Sequence, residues 1–251
     1  MTGRVEVVPV EGLPEIGPGD RLGELIAVAS GVDIRSGDVV VVSQKVVSKA
    51  EGRVADLGEV EPGERASELA ERLGKDPRLV ELILRESVEV VRAERDVLIV
   101  EGRTGWISAN AGIDASNVPG TGLVTLLPVD ADASARRVRA EIRDATGATP
   151  GVVVSDSFGR PWRLGQVDVV IGSAGVAPID DWRGRRDRHG DELSATVIAI
   201  ADELAAAADL VRTKDEGVPV AVLRGVERFV TADDGPGAAA LRRPREEDLF
   251  R

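Results

Sequence analysis

An aspartate and a serine stand directly after a run of residues that predicts a buried strand. The run covers residues 151–155, and Asp156 and Ser157 follow it. A carboxylate at a strand end, followed by a hydroxyl, is a common way to hold Mg²⁺ or Mn²⁺ through oxygen atoms. We expect Asp156 and Ser157 to bind such an ion, with Arg160 and Arg163 balancing phosphate oxygens. The alternative is a strand end whose acid pairs with these arginines.

A second candidate is the loop at residues 110–120, where Asp114 lies between Asn110 and Asn117. Small residues leave the backbone of this loop open. A carboxylate flanked by amides suits a hard cation together with a phosphate or a sugar. The alternative is a turn-rich loop in which these side chains cap their own backbone.

Two of the four lysines of the chain, Lys45 and Lys49, follow the strand-like run at residues 38–43. If this segment is helical, their four-residue spacing puts both ammonium groups on one face. Paired point charges of this kind hold phosphates. The alternative is a solvated surface pair.

The segment at residues 180–190 mixes acids with arginines and contains His189, the only histidine. It could hold an anionic substrate, or it could be a solvated loop. Cysteine is absent, so thiol nucleophiles, zinc fingers and iron–sulfur clusters are excluded. Any metal must therefore be held by oxygen ligands.

Composition narrows the function further. The chain has 251 residues, 43 % of them hydrophobic, and a net charge of −12. It can bury a core, but it lacks the basic field that nucleic-acid binding needs. No apolar run reaches the roughly 20 residues that cross a bilayer, and we expect a cytoplasmic protein. Oxygen ligands, lysines and arginines together suggest nucleotide-dependent phosphoryl or acyl-phosphate chemistry, although no P-loop motif occurs.

The elements that must position these residues follow from hydrophobic periodicity and turn signals. Strands are predicted at residues 5–10, 38–43, 88–91, 97–100, 105–108, 123–127, 151–155, 167–172 and 218–223. Helices are predicted at residues 22–29, 64–73, 77–87, 132–145 and 192–211. The two kinds mix without strict βαβ order, which favours an α+β fold. The residues from 231 onward predict a loosely packed tail.

Four segments together resemble one known family, the coenzyme F420-0:L-glutamate ligases, also called γ-glutamyl ligases. They are residues 41–53, 110–118, 154–160 and 201–211, and the opening segment 8–14 fits as well. They occur in the family's order, and the resemblance extends from about residue 5 to residue 225.

The resemblance implies a reaction and a fold. GTP phosphorylates the terminal carboxylate of a deazaflavin precursor, F420-0. The amine of L-glutamate then displaces the phosphate, and further rounds add γ-linked glutamates. Members usually need two divalent cations, Mg²⁺ or Mn²⁺, with K⁺ in support. Their α+β fold has two lobes and forms an intertwined homodimer.

Residue by residue, the resemblance also implies roles. The implied catalytic residues are Asp114, Asp156 and Lys49. The implied metal ligands are Asp114, Asp156 and Ser157. The implied GTP-binding residues are Glu11, Gly12, Leu13, Pro14, Gln44, Lys49 and Asn117.

The chain departs from the family pattern in the loop at residues 212–217. Some members take a further metal ligand from this loop, but here Lys214 stands near that position, which leaves the ligands of the second metal open. We predict a ligase domain at residues 1–230 and a tail at 231–251, where many bacterial members begin a linker to a nitroreductase-like domain. Two alternatives remain: a glutamate ligase acting on a folate-type or other acid, and a non-catalytic module that binds nucleotide or metal.

Overall fold

A computed structural model describes residues 3–29, 32–116, 120–213 and 217–250 of the chain. The α-helices are α1 Leu22–Val28, α2 Gln44–Ala50, α3 Glu64–Leu73, α4 Pro77–Arg85, α5 Ala131–Thr146 and α6 Ile200–Asp209. The strands are β1 Glu6–Pro9, β2 Val39–Ser43, β3 Val54–Asp56, β4 Ser87–Glu94, β5 Val97–Gly102, β6 Ile107–Ala109, β7 Leu123–Thr125, β8 Gly151–Arg160, β9 Arg163–Ala174, β10 Asp180–Asp181, β11 Val197–Ile198 and β12 Val220–Arg224. This mixture confirms the predicted α+β class.

The largest sheet has five strands in the order β1-β12-β2-β8-β9. Strands β2 and β8 are parallel and in register from Val39 opposite Gly151 to Ser43 opposite Ser155, whereas the other neighbours are antiparallel. Because parallel strands end at the same edge, the residues that follow Ser43 and Ser155 come together. The lysine helix and Asp156 therefore meet at one end of the sheet.

Helices cover both faces of this sheet, which explains why the valines of β2 form a continuous run. Val40 and Val42 belong to the cluster that includes α1 and α5. Val39 and Val41 belong to the cluster that includes α6. With both faces buried, the central strands form a rigid base for the residues at their ends.

A third hydrophobic cluster joins α3 and α4 to the sheet β4-β5-β6 and to β7. Its helices confirm the sequence signals: α3 ends at Leu73, and the following Gly74 has the left-handed φ of 63° that glycine adopts freely. At the start of α4, Asp76 accepts a hydrogen bond from the backbone N–H of Arg78, as an N-cap should.

Three predicted elements differ most from the structure in their extent. The helix predicted at 192–211 begins only at Ile200, because the preceding backbone pairs with a neighbouring loop: Leu193 N–H donates to the Arg185 carbonyl, and Trp182 N–H donates to that of Thr196. The strands predicted at 151–155 and 167–172 are longer and form a hairpin that turns between Arg160 and Arg163.

The expectation of a loosely packed tail is wrong for residues 231–239. Ala238 is completely buried, and its N–H donates to the Asp132 carboxylate at 2.7 Å. The buried Arg139 of α5 donates to the carbonyls of Thr231, at 2.8 Å, and Asp233, at 2.9 Å. These contacts hold residues 231–239 against α5, a non-local arrangement that turn-rich composition does not indicate. No helix among the described residues has the length and hydrophobicity to span a membrane.

Replacing Arg139 by Met should destabilise the protein strongly. The side chain is buried, and its substitution leaves the carbonyls of Thr231 and Asp233 and the carboxylate of Asp234 without their donor. We expect the free energy of unfolding to fall by about 3 kcal/mol and the melting temperature by roughly 6–12 °C. Arg143→Met, at an exposed position of the same helix, is the matched control for differential scanning calorimetry. Equal melting temperatures for the two variants would contradict this account of the tail.

Candidate functional site

A cavity of about 760 Å³ lies at the end of the sheet where β2 and β8 terminate. Six of the ten residues to which the resemblance assigns a role line it, although they come from distant parts of the chain. The lining includes Leu13, Pro14, Lys49, Asp114, Asp156 and Ser157. Glu11 and Gly12 are exposed and lie outside that lining, and Asn117 falls outside the described residues.

Both lysines of α2 face this cavity, since the segment is helical as the spacing requires. Their side chains are largely buried, and each has an acidic partner. Lys45 Nζ lies 2.9 Å from Asp114 Oδ2, and Lys49 Nζ lies 2.6 Å from Glu15 Oε1. The interpretation as a solvated surface pair is therefore wrong. The two ammonium groups form one cationic wall, called here the lysine wall.

Gln44 occupies a different place from the other predicted nucleotide-binding residues. It is completely buried at the start of α2, where its Oε1 accepts a hydrogen bond of 2.9 Å from Ser48 Oγ. Within the described part of the chain, its Nε2 has no hydrogen-bond partner. Gln44 thus lies behind the cavity wall rather than on its surface.

Asp114 is held as a carboxylate at the edge of the cavity. Backbone hydrogen bonds to Thr125 fix its main chain, and Ser116 N–H donates to its Oδ1 at 2.6 Å. Burial alone would raise the pKa of Asp114, but hydrogen bonds from Lys45 and Ser116 outweigh it, so that the pKa is lowered. Asp114 therefore carries a full negative charge at neutral pH.

The pKa of Asp156 is shifted in the opposite direction to that of Asp114. Burial raises its pKa to about 7; the hydrogen bond from Ser157 N–H opposes the rise, while the nearby charges of Asp168 and Asp114 add to it. Lys45 offsets this only in part. A carboxylate with so little compensating positive charge is characteristic of a functional site.

Sequence reasoning missed Asp168, a buried residue of β9 that lies opposite Ser157. Its Oδ1 accepts a hydrogen bond from Ser157 Oγ at 2.6 Å, and its Oδ2 accepts one from Ser155 Oγ at 2.8 Å. Arg212 also forms an ion pair with Oδ2. The signal was available, because Asp168 is the only charged residue in the predicted apolar strand at 167–172.

The donor set fits a hard divalent cation. Asp114 and Asp156 supply carboxylate oxygens, and Ser157, whose proton is engaged by Asp168, keeps its oxygen lone pairs available as ligands. The described residues contain no group of three or more acidic or histidine side chains able to hold a metal alone. A bound ion would thus complete its shell with water and substrate oxygens, as Mg²⁺ usually does.

The charged segment around His189 does not contribute to this cavity. Its arginines pair locally, as when Arg183 Nη2 lies 2.6 Å from Asp181 Oδ2. His189 is exposed, and its backbone N–H donates to Asp187. Likewise Arg160 donates to the Leu164 carbonyl rather than to Asp156. These observations favour the solvated-loop interpretation for residues 180–190.

Comparison with known proteins identifies the family. The sequence model of the F420-0:Gamma-glutamyl ligase family matches residues 12–225. The chain belongs to this family. It is 47 % identical over 251 residues to the coenzyme F420:L-glutamate ligase of Methanothermobacter thermautotrophicus, covering 98 % of the chain and 99 % of that relative.

Two other relatives match over similar lengths. The coenzyme F420:L-glutamate ligase of Methanopyrus kandleri is 46 % identical, with 99 % of the chain and 97 % of the relative covered. That of Haloarcula marismortui is 44 % identical, with 98 % and 96 % covered. The family resemblance drawn from short segments is therefore confirmed over nearly the whole chain.

Proposed function

We propose that this protein is a GTP-dependent ligase that joins L-glutamate to coenzyme F420-0, and then further glutamates through γ-linkages, in coenzyme F420 biosynthesis. The observation that carries the proposal is one cavity in which a lysine wall faces two aspartates, in a chain 47 % identical along its length to a coenzyme F420:L-glutamate ligase. Its substrates are small molecules, and the proposed location is the cytoplasm.

The reaction has two steps. An oxygen of the acceptor carboxylate attacks the γ-phosphorus of GTP; an O–P bond forms, the β–γ bond breaks, and GDP leaves. The α-amine of L-glutamate then attacks the carbonyl carbon of the acyl phosphate. A C–N bond forms, the C–O bond to phosphate breaks, and the amine loses one proton. No residue of the chain needs to become covalently attached.

In this proposal the chain acts by positioning and by charge. Lys45 and Lys49 neutralise the triphosphate oxygens and align the γ-phosphorus with the acceptor. Asp114, Asp156 and Ser157 hold two Mg²⁺ or Mn²⁺ ions, with K⁺ in support. Such ions supply neutralisation of the charge that develops on the phosphate oxygens.

The nucleotide is proposed to enter along the opening segment of the chain. Leu13 and Pro14 offer an apolar contact at the cavity surface, and Glu11 and Gly12 precede them. Gln44, which bonds to Ser48 behind the cavity wall, remains part of the proposed nucleotide site on the family resemblance. Asn117 remains part of the proposed nucleotide site on the family resemblance alone.

The decisive experiment is a product assay. The purified protein is incubated with F420-0, L-glutamate, GTP and Mn²⁺, and the products are analysed by mass spectrometry while GDP is quantified. Glutamylated F420, with GDP release that requires both F420-0 and glutamate, supports the proposal. GDP release with a pterin acid instead would indicate the folate-type alternative, and nucleotide binding without any GDP release would indicate a binding module.

The proposed assembly is a homodimer of two-lobed subunits. The separate cluster around α3 and α4 supports a second lobe. The β8–β9 hairpin supports the dimer, because beyond Ser155 it no longer pairs with β2. At its tip, Trp162 is 83 % and Leu164 98 % exposed, and such apolar exposure is typical of association surfaces.

Leu164→Glu should therefore convert the dimer to a monomer, because a buried carboxylate at the interface would be desolvated without a partner. Size-exclusion chromatography with light scattering measures the change. Val88→Glu, at an exposed valine outside the hairpin, should leave the mass unchanged. A dimer that persists in Leu164→Glu would remove the hairpin from the interface.

A further inference from the structure

Arg212 follows α6 and lines the same cavity as Asp156 and Ser157. Its side chain is only 5 % exposed. One nitrogen, Nη2, donates to Asp168 Oδ2 and, at 3.0 Å, to Ser155 Oγ. The other two, Nε and Nη1, have no hydrogen-bond partner among the described residues.

A second buried arginine provides the standard for comparison. Arg139 is as buried as Arg212, yet Nε, Nη1 and Nη2 of Arg139 each donate to an oxygen at 2.8–2.9 Å. Folded proteins pair their buried donors because an unpaired one costs roughly 1–3 kcal/mol, and more on a charged group. The unpaired donors of Arg212, beside the fully paired ones of Arg139, point to a bound molecule that accepts hydrogen bonds from Arg212.

The surroundings of Arg212 favour a carboxylate as the acceptor. Each of the two free nitrogens can donate a charge-assisted hydrogen bond, and a carboxylate oxygen is a strong acceptor of such a bond. Its charge is already offset by Asp168, and Asp156 and Asp209 also line the cavity. This mixed environment suits a zwitterion, whereas the lysine wall suits a triphosphate.

The position of Arg212 matters for the chemistry. Asp168 connects it to Ser157, since its two carboxylate oxygens accept from Arg212 and from Ser157 respectively. An α-amino acid held by Arg212 therefore presents its ammonium group to the acidic side of the cavity, one carboxylate away from the proposed metal ligands. An attacking amine must reach this region.

We propose that Arg212 binds the α-carboxylate of the incoming L-glutamate, and that Asp168 and Ser155 position its guanidinium. The inference rests on the proposed function, because it names the recognition of one substrate of that reaction. It assigns to the residues 155, 168 and 212 the selection of an α-amino acid over a simple amine.

Two glutamate analogues test the assignment. 4-Aminobutyrate lacks only the α-carboxylate of glutamate, and 2-aminobutyrate lacks only the γ-carboxylate. The wild-type protein should use 4-aminobutyrate at least about 100-fold less efficiently than glutamate, as expected for a buried charge pair that has lost one partner. Arg212→Gln should lower kcat/KM for glutamate by about the same factor, leave the KM for GTP within about twofold, and abolish the discrimination against 4-aminobutyrate.

Arg212→Lys keeps the charge but not the planar guanidinium, so its kcat/KM for glutamate should lie between those of the wild-type protein and Arg212→Gln. Arg78→Gln, in an exposed pair with Asp76 on α4, should behave as wild type. The inference would be overturned if Arg212→Gln raised the KM for GTP, or if this variant still preferred glutamate over 4-aminobutyrate. Turnover by the wild-type protein would in that case still support the proposed function. If Arg212→Gln fails to fold, unchanged discrimination in Arg212→Lys overturns the inference equally. If the wild-type protein formed no product, the proposed function would be refuted. Calorimetric titration of the wild-type protein and of Arg212→Lys with glutamate would then test whether Arg212 binds it, and equal affinities would overturn the inference.

Discussion

Asp156→Asn is expected to abolish turnover and, at the same time, to stabilise the metal-free protein. The loss of turnover follows from the proposed role of Asp156, since an amide oxygen carries no charge to hold a divalent ion. We expect kcat to fall by about 10³-fold at saturating GTP, the scale on which loss of transition-state charge stabilisation is felt. Product formation measured by mass spectrometry tests this part.

The gain in stability follows from the raised pKa. Burial raises the pKa of Asp156 to about 7, with Asp168 and Asp114 adding to it, whereas an aspartate in the unfolded chain has its ordinary pKa of 3.8. Between these values the folded state binds the extra proton, so the carboxyl destabilises the protein increasingly as pH rises from about 4 to about 7. Above pH 7 this loss of folding free energy no longer changes with pH. Asparagine carries no ionisable group, so Asp156→Asn removes the loss.

Calorimetry in EDTA at pH 5 and pH 8 measures this difference. The melting temperature of Asp156→Asn should exceed that of wild type by at least roughly 2–4 °C at pH 8, the shift that 1 kcal/mol produces in a chain of this size. The excess should be smaller at pH 5. Asp144→Asn, at an exposed position on α5, is the control. A variant less stable than wild type at pH 8 would show that Asp156 is not electrostatically strained.

Asp114→Asn should also remove activity, by about 10²- to 10³-fold, but its effect on stability should have the opposite sign. The pKa of Asp114 is lowered, because the bonds from Lys45 and Ser116 outweigh burial. Its ionised form therefore stabilises the folded state above the unfolded pKa of 3.8, and this contribution is lost as pH falls through the folded pKa.

At pH 7 and in EDTA, Asp114→Asn should consequently melt below wild type, with the difference shrinking toward pH 3. Thermal unfolding across this range and the same product assay measure the two effects. The contrast with Asp156→Asn is the informative result, since two aspartates of one cavity would lose turnover alike and shift stability in opposite directions. Retained turnover at ordinary Mg²⁺ in either variant would contradict the metal assignment.

Local signals predicted much of the fold and part of the site. Gly74 predicts the end of the helix at 64–73. The four-residue spacing of the two lysines after a buried strand predicts that they share one face of a helix. Asp156 was indicated by its place at the end of such a strand. These features depend on residues close in sequence, so periodicity and capping rules reach them.

Other features depend on contacts between distant segments. Asp168 and Arg212 are 44 residues apart and meet only when β9 and α6 pack on the same sheet. Residues 192–199 are not helical because their backbone pairs with a neighbouring loop. Arg139 holds the tail in place, although it lies 92 residues before Thr231. No local pattern contains these partners, so the sequence alone did not indicate them.

The strand order also has a consequence for biosynthesis. The central strand β2 needs β8, which begins at Gly151, and β12, which ends at Arg224. During translation, its valines emerge from the ribosome long before both neighbours exist. Such high contact order slows folding and exposes unpaired edges to aggregation. Co-translational folding of this chain must therefore wait for its last strand, and chaperone protection of the nascent chain is most needed before that point.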